Sequence, residues 1–484
     1  MNIISVPPFA PVLMESTRSI GYSIETAIAD IIDNSIAAKA TNIDIAFFPI
    51  NPYISILDDG HGMDQDSLIN AMRYGSKNPT ATRGTKDLGR FGLGLKTAAL
   101  SQCKKLTVVT KVGSSLLGAQ WDLDLVINTG EWSLKLLDLD DVSELPQVSQ
   151  LMLLKAGTLV IMQDLDRLIL GEKNIELSMG KYMDTVRNHL SLVFHRYISG
   201  EKGLKKIKIS INNLKVEAND PFLVEKSNQI MEEEVINIEG KKVTVSPFIL
   251  PHISNLTQLE LEQLGGKDGL RKKQGFYIYR NKRLLVSGTW FNMMRQDEMS
   301  KLARVRVDIP NSLDYLWTLD IKKSMAIPPE VVKKNLSIVI ERLADRSKRT
   351  WTYRGKKETN DSNIHMWNRI ITRGKGVFYE INRDHLLFDG LENLNKSEKQ
   401  SLNHLIRQIE TNLPLNQLYV DLTNDEQITN TENIMDAEIL KMLKHILSGC
   451  KDKREKNEML GRLSISDPFN QHPEVIKRLM QEVN

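Results

Sequence analysis

Near the start of the chain a carboxylate and an amide stand four residues apart, at Asp30 and Asn34. Residues 22–40 place apolar side chains at a spacing near 3.6 residues, which predicts a helix. Positions i and i+4 of a helix are neighbours on one face. The Asn34 amide oxygen suits Mg²⁺, and Asp30 could orient or deprotonate a water molecule. Taken alone, the pair is better explained as an ordinary helix surface.

A second segment, Leu57-Asp58-Asp59-Gly60-His61-Gly62-Met63, directly follows a predicted strand. Asp58, at the end of that strand, could accept a hydrogen bond from an amino group. Gly60 and Gly62 lack side chains, so their backbone could approach a flat ring closely. An acidic turn has the same composition, and the segment by itself is only a weak indication of a binding site.

A third segment is rich in glycine and leads into a predicted helix; it reads Gly89-Arg90-Phe91-Gly92-Leu93-Gly94-Leu95-Lys96. Free N–H groups at a helix start form a cradle for anions, and Lys96 adds a positive charge. The segment does not end in the GKS or GKT of a P-loop. It also does not lie in a strand–turn–helix unit of the Rossmann type.

The elements around these segments predict helices packed on a mostly antiparallel sheet. We predict helices at 22–40, 95–102 and 182–197, and strands at 42–48, 53–57, 106–111, 116–122, 131–137 and 157–164. A second unit is predicted to open with the strand pair at 206–218. It continues with strands at 275–279, 283–286 and 303–309 and with a helix after Pro328-Pro329. Further helices are predicted at 396–410, 433–448 and 472–482, with a polar linker at 421–433.

The order and spacing of the three segments resemble the GHKL ATPases, the superfamily of gyrase B, the large heat-shock chaperones, histidine kinases and MutL. The motifs AIADIIDNS, DDGHGM and GRFGLGLK, followed by Gly157-Thr158, most resemble those of MORC-type ATPases and their prokaryotic relatives. The resemblance covers residues 20–165. It implies an α+β chain with a Bergerat-type α/β sandwich at 1–200, a transducer-like basic domain at 201–357 and a mainly helical region at 358–484.

The resemblance also implies ATP and Mg²⁺ as cofactors and assigns roles to individual residues. Asp58 would bind the adenine amino group, in a pocket completed by Gly60, Gly62, Met63 and Thr158. Asn34 would ligate Mg²⁺. Residues 75–94 would form a lid over ATP, and the phosphates would be held by Gly89, Arg90, Phe91, Gly92, Leu93, Gly94 and Lys96.

At the position of the usual catalytic glutamate this chain has Asp30, whose side chain is one methylene shorter. A displacement of about 1 Å can cost on the order of 100-fold in rate, so we predict slow hydrolysis. In gyrase-like and MutL-like enzymes a transducer lysine reaches the γ-phosphate. Lys322 and Lys323 stand where such a lysine would be expected, although a basic loop explains them equally well.

Positive charge is concentrated in residues 267–357, which hold 22 Lys and Arg against 9 Asp and Glu, a local net of +13. The whole chain is +3, so the remainder sums to −10. Basic clusters bind nucleic acid phosphates in a salt-sensitive way, although a solvated face has the same composition. The candidate phosphate contacts are Arg271, Lys272, Lys273, Arg280, Lys282, Arg283, Arg346, Lys348 and Arg349. Aromatic residues among them, such as Phe276 and Tyr279, could stack on bases, although a core position is more common.

Composition narrows the class of protein further. The two cysteines, Cys103 and Cys450, exclude a disulfide framework and a cysteine-rich zinc module. No apolar run approaches the roughly 20 residues of a membrane helix, and the first residues make a poor signal peptide. We therefore predict a cytoplasmic protein without membrane contacts.

By resemblance we expect an ATP-driven homodimeric clamp on DNA, working with other subunits of a restriction or anti-phage defence system. The main alternative is a nucleotide-gated scaffold or chaperone-like interaction protein with little hydrolysis, which the short Asp30 side chain would suit. A chaperone would have a protein client and no salt-sensitive affinity for DNA. A histidine kinase would need a dimerising helix pair before the ATPase segment, where we count only some 20 residues.

Overall fold

The computed structural model separates the chain into two compact units, Met1–Thr352 and Tyr353–Asn484. It describes residues 3–4, 6, 8–19, 21–75, 94–229, 233–251, 253–296, 300–314, 316–319, 326–340, 364–372, 376–391, 395–415, 417–418, 436–448, 450 and 452–483. Each unit is treated by itself below. The finer division at residues 200 and 357 stays a prediction.

The first unit begins with an eight-stranded sheet in the order β5-β4-β3-β6-β2-β1-β7-β8. Its strands are β1 Asn42–Phe48, β2 Tyr53–Asp58, β3 Lys105–Val112, β4 Ser115–Asp122, β5 Lys135–Leu137, β6 Ala156–Gln163, β7 Lys208–Ile211 and β8 Leu214–Lys215. Every neighbouring pair is antiparallel except β1 with β7. The predicted mostly antiparallel sheet within an α+β fold is thereby confirmed.

Helices pack on both faces of this sheet. Successive side chains of a strand point to opposite faces, and apolar side chains lie on both. The helices are α1 Ala10–Arg18, α2 Ile24–Ala37, α3 Gln65–Met72, α4 Gly94–Leu100, α5 Leu123–Thr129, α6 Leu139–Ser143, α7 Val148–Leu153, α8 Ile175–Val193 and α9 His195–Ser199. α2 packs between α4 and α8, and Ile28 and Ile32 join Ile54 and Ile56 of β2 in the main core. On the opposite face, Leu57 joins a smaller core with α6 and α7.

The strand pair predicted at 206–218 does not open the second sheet, and that assignment is wrong. β7 runs parallel to β1, with Asn42 opposite Lys208, and β8 pairs with β7 at the edge of the first sheet. Ile209 and Ile211 are fully buried in the first core. The chain between β1 and β7, residues 49–207, is far longer than the crossover that a parallel pair requires. The first sheet thus includes the strands β7 and β8, up to Lys215.

A second sheet follows in the order β10-β11-β14-β12-β13, with β9 added beside β11. Its strands are β9 Asn228–Gln229, β10 Glu234–Ile238, β11 Lys241–Ile249, β12 Gly275–Arg280, β13 Arg283–Thr289 and β14 Ala303–Ile309. Two short helices, α10 Gln258–Gln263 and α11 Gly266–Lys272, and a small strand pair, Thr318–Leu319 with Ala326–Ile327, belong to the same region. Residues 330–340 are helical, as predicted after Pro328-Pro329, and contribute Val332, Leu336 and Val339 to the core of this sheet.

The second compact unit combines one hairpin with several helices. The hairpin pairs Trp367–Thr372 with Gly376–Ile381, and the helices are Lys396–Thr411, Asp436–Ser448, Lys453–Leu463 and Pro473–Val483. Three of these helices match the sequence-based predictions; the helix Lys453–Leu463 was not predicted. Leu443, Leu460 and Ile476 contribute to the core of this second unit. The predicted linker at 421–433 lies outside the described residues. Within the described part of the chain, no helix is long and apolar enough to cross a membrane.

Candidate nucleotide-binding site

Asp58 lies at the end of β2, opposite Thr158 of β6, and its side chain is 5% exposed. Its Oδ2 accepts a hydrogen bond from the Ser35 hydroxyl at 2.7 Å, and its Oδ1 accepts one from the Gly60 N–H at 2.9 Å. Burial raises the pKa of Asp58, against the opposing effect of these two donors. Each carboxylate oxygen can accept more than one hydrogen bond, so Asp58 retains capacity for an amino group of a ligand.

Two glycines beside Asp58 occupy positions that no other residue fits. A Cβ on Gly60 would stand 2.8 Å from Asp58 Oδ1 and 2.8 Å from the Cβ of Ala38. Gly62 has a φ of +69°, and a Cβ there would be 2.3 Å from the Lys111 carbonyl oxygen. The requirement for glycine at 62 therefore comes from its close contact with β3. The absent side chain at 60 lets the loop pack closely against Ala38 and the Asp58 carboxylate.

Hydrogen bonds tie the loop after β2 to the neighbouring strands. The Met63 N–H donates to the Thr110 hydroxyl oxygen at 2.8 Å, and that hydroxyl donates to the Gly157 carbonyl at 3.2 Å. Gly157 has no room for a side chain, since a Cβ would lie 2.4 Å from the Asp58 carbonyl oxygen. Asp58, Met63 and Thr158 are thus brought close together. Their role as an adenine pocket stays a prediction.

The second part of the site is on α2, where Asp30 is buried and Asn34, one turn later, is exposed. The Tyr22 hydroxyl donates to Asp30 Oδ2 at 3.1 Å. A Cβ placed on Gly94, the first residue of α4, would be 3.6 Å from the same oxygen. The glycine-rich segment therefore ends directly beside the Asp30 carboxylate. Residues 76–93, which include Gly89, Arg90, Phe91, Gly92 and Leu93, lie outside the described residues.

Lys96, near the start of α4, is tied to the neighbouring helix α3. Its side chain is buried, and its ammonium donates to the Ala71 carbonyl at 2.9 Å, near the end of α3. In this arrangement Lys96 joins α4 to α3. Its role as a phosphate contact stays a prediction. Lys322 and Lys323 fall outside the described residues.

The basic residues of the second sheet divide into exposed and buried groups. Arg271 and Lys272 are exposed. Lys273 is half-buried, and desolvation together with nearby Arg304 lowers its pKa. Lys282 is half-buried and lies 3.4 Å from Asp308.

Two of the predicted phosphate contacts are buried, and this part of the prediction is corrected. Arg280 is 3% exposed and forms an ion pair with Asp314 at 2.6 Å. Arg283 is 4% exposed and faces carboxylates of α2. A guanidinium enclosed by carboxylates cannot neutralise DNA phosphates. Phe276, Tyr277, Tyr279 and Trp290 are also buried, so they are core residues rather than stacking platforms. Arg346, Lys348 and Arg349 lie outside the described residues.

The contact of Arg283 with the two carboxylates of α2, next to the site, was not predicted from the sequence. Its Nη2 is 3.7 Å from Asp30 Oδ1, and its Nε is 3.4 Å from Asp33 Oδ2. Two carboxylates on an otherwise apolar helix face do indicate a cationic partner, because buried charges are paired. The pattern cannot say which of 64 Lys and Arg residues supplies that partner.

The described residues fit a magnesium-bound nucleotide. Asp58 is a buried acceptor suited to an amino group. The exposed amide of Asn34 is the kind of neutral oxygen ligand that Mg²⁺ takes when most of its other ligands are phosphates and water.

Comparison with known proteins agrees with this site. Residues 22–158 match the family model described as histidine kinase-, DNA gyrase B-, and HSP90-like ATPase. Over 88 residues the chain is 33% identical to ATPase morc-1 of Caenorhabditis elegans, covering 18% of this chain and 10% of that protein. Over 90 residues it is 34% identical to ATPase MORC2B of Mus musculus, covering 18% and 9%. The matched segment thus spans about a tenth of these relatives. Residues 22–158 of this chain are therefore similar to GHKL-type ATPase domains, and part of the chain is similar to MORC proteins.

Proposed function

We propose that the chain is a Mg²⁺-dependent ATPase that closes as a homodimeric clamp on DNA. The main support for this proposal is that two parts of the site lie on neighbouring elements. The Asp58 pocket can select an adenine, and the buried Asp30 carboxylate lies beside the start of α4 at Gly94. A nucleotide that spans both parts would have its phosphates next to a carboxylate that can orient and deprotonate a water molecule.

Each group of the site then has a chemical task. Asp58, held by Ser35 and Gly60, accepts the adenine amino group. Asp30 orients the attacking water and takes its proton. Asn34 would hold the magnesium ion, which neutralises charge on the phosphates and on the transferring group. Tyr22 fixes the direction of one Asp30 oxygen.

DNA is the proposed partner because positive charge is concentrated in the second sheet region and its flank. Arg271 and Lys272 are exposed at the end of α11, within the stretch whose local net charge is +13. Cations on such a surface release counterions from DNA and bind it without sequence preference. MORC-like relatives in prokaryotes suggest a setting in restriction or anti-phage defence, with further subunits of such a system as partners.

Size analysis with a non-hydrolysable ATP analogue, with and without duplex DNA, tests the clamp. The expected result is a monomer without nucleotide, a dimer with the analogue and Mg²⁺, and a dimer retained on DNA. DNA affinity should fall steeply with added salt, by roughly 10- to 1,000-fold between 50 and 200 mM for a few phosphate contacts. Arg271→Glu combined with Lys272→Glu should weaken DNA binding and leave the nucleotide-dependent dimer intact. A chain that stays monomeric with the analogue contradicts the clamp.

The second candidate function is a nucleotide-gated scaffold that closes on ATP but scarcely hydrolyses it. The observation in its favour is Asp30, which is shorter than the glutamate of related enzymes and is engaged by Tyr22 and Arg283. Single-turnover hydrolysis with and without DNA separates the two. A dimer that forms on ATP and releases no phosphate in either condition supports the scaffold.

A further inference from the structure

The hairpin β12–β13 of the second sheet docks directly on the ATPase part of the same unit. At its turn, the Tyr197 hydroxyl of α9 donates to the Asn281 carbonyl at 2.7 Å. His195 Nε2 and the Tyr279 hydroxyl are also 2.7 Å apart. Burial lowers the pKa of His195 to about 3, so this histidine is neutral at physiological pH and the contact is a neutral hydrogen bond. The contact places the first residue of β13, Arg283, against the ATPase helices.

Arg196 of α9 holds the second sheet in this position through an ion pair and a ring contact. Arg196 of α9 lies 2.6 Å from Asp308 of β14 and also pairs with Glu201. Its guanidinium carbon stands 4.8 Å from the centre of the Tyr279 ring. Lys282, at the hairpin turn, adds a second cation 3.4 Å from Asp308. Buried charge pairs with defined partners favour one docking geometry over alternatives.

Within that geometry, the two oxygens of Asp30 face different groups. Oδ2 accepts from the Tyr22 hydroxyl and is the oxygen closest to the start of α4 at Gly94. Oδ1 faces the Arg283 guanidinium at 3.7 Å. Arg283 is itself held by Asp33 at 3.4 Å, one helical turn after Asp30 on α2. One oxygen of Asp30 thus has a hydrogen bond from Tyr22, and the other has a longer ion-pair contact with Arg283.

We propose that Arg283 is a positioning residue that makes hydrolysis depend on docking of the second sheet. It holds Oδ1 of Asp30, so that Oδ2 points to the glycine-rich start of α4, where a water molecule beside the phosphates would be oriented. This inference rests on the proposed ATPase function and names a residue, outside the matched segment 22–158, on which that function depends. Arg283 itself touches neither nucleotide nor water in this account.

The test compares steady-state hydrolysis and nucleotide affinity in full-length variants. Arg283→Gln should lower the hydrolysis rate on the order of 10- to 100-fold, because a misplacement of about 1 Å at a catalytic group has that scale of effect. Its affinity for a non-hydrolysable ATP analogue should stay within about threefold, because the adenine pocket is untouched. Arg283→Lys keeps the charge and should recover part of the rate.

Matched controls separate positioning from folding. Arg280→Gln removes an equally buried arginine from the same hairpin, one paired with Asp314, and should lower thermal stability without changing the rate per folded molecule. If Arg283→Gln fails to fold because the two buried carboxylates have lost this cation, the double variant Arg283→Gln/Asp33→Asn removes one of those charges. Its hydrolysis is then compared with that of Asp33→Asn alone, and the double variant should be the slower of the two.

Three results would overturn the positioning role. One is a double variant as fast as Asp33→Asn. Another is an Arg283→Gln variant whose rate is preserved while its nucleotide affinity falls. The third is a parent chain that binds ATP but does not hydrolyse it. This last result would not contradict the proposed nucleotide pocket. A parent that binds no ATP analogue at all contradicts the proposed function itself.

Discussion

Replacing Asp30 by Asn is expected to lower the rate of ATP hydrolysis by on the order of 100-fold or more, since a positioned general base contributes about that much. An amide of nearly the same shape still accepts the Tyr22 hydrogen bond but cannot take a proton from water. Affinity for a non-hydrolysable ATP analogue should change little, because Asp58 and its partners are untouched. Single-turnover phosphate release and an equilibrium titration measure the two quantities separately.

The opposite change, Asp30→Glu, tests the geometric part of the same claim. Glutamate restores the methylene that this chain lacks, and the rate should rise above that of the parent. Because Asp30 is buried, the added methylene can also strain the core, at a cost of about 1–3 kcal/mol. Thermal unfolding should accompany the kinetics for that reason. A well-folded glutamate variant that is no faster than the parent argues against side-chain length as the cause of slow hydrolysis.

Replacing Asp58 by Asn is expected to weaken ATP binding by about 100-fold, equivalent to about 3 kcal/mol. Asp58 accepts hydrogen bonds from Ser35 and Gly60 and, in the proposed complex, from the adenine amino group. An asparagine has one accepting oxygen, and its amide N–H₂ would face one of those donors. Either the internal hydrogen bonds or the contact to adenine must be lost. Isothermal titration with a non-hydrolysable ATP analogue measures the loss.

The neighbouring carboxylate provides the matched control for Asp58. Asp59 accepts hydrogen bonds from the backbone N–H groups of Thr41 and Asn42 and from both of their side chains. Asp59→Asn should therefore cost about 1–3 kcal/mol of the free energy of unfolding, as expected when donors lose a charged acceptor. Its affinity for the nucleotide should match the parent. Equal losses of affinity in the two variants would contradict the assignment of Asp58.

The sequence predicted local elements well where one face of an element is buried. The strand β1 alternates buried and more exposed residues as predicted, whereas β2 and most of the helix Ile24–Ala37 are buried. It did not predict that β7 joins the first sheet, because the period of a strand shows which face is buried but not which strand is its neighbour. The partner of β7 is β1, some 160 residues earlier, and only the folded chain brings the two together.

The pocket was more predictable than the basic surface, for a physical reason. Asp58, Gly60 and Gly62 lie within five residues, so the short spacing nearly fixes their mutual geometry. Charge counting, by contrast, treats every arginine as exposed. Arg280 and Arg283 show the limit of that assumption, since their guanidinium groups are buried against acidic partners from distant segments. Lys96 likewise donates a hydrogen bond to a backbone carbonyl on α3, and nothing in its own segment predicts this contact.

The most direct test of the nucleotide site is a titration of the full chain with non-hydrolysable analogues of ATP and GTP in the presence of Mg²⁺. The account predicts saturable binding of the ATP analogue and at least about tenfold weaker binding of the GTP analogue. The reason is that guanine would place a carbonyl oxygen where Asp58 needs a donor. Equal affinity for the two analogues, or no binding of the ATP analogue, would contradict the account.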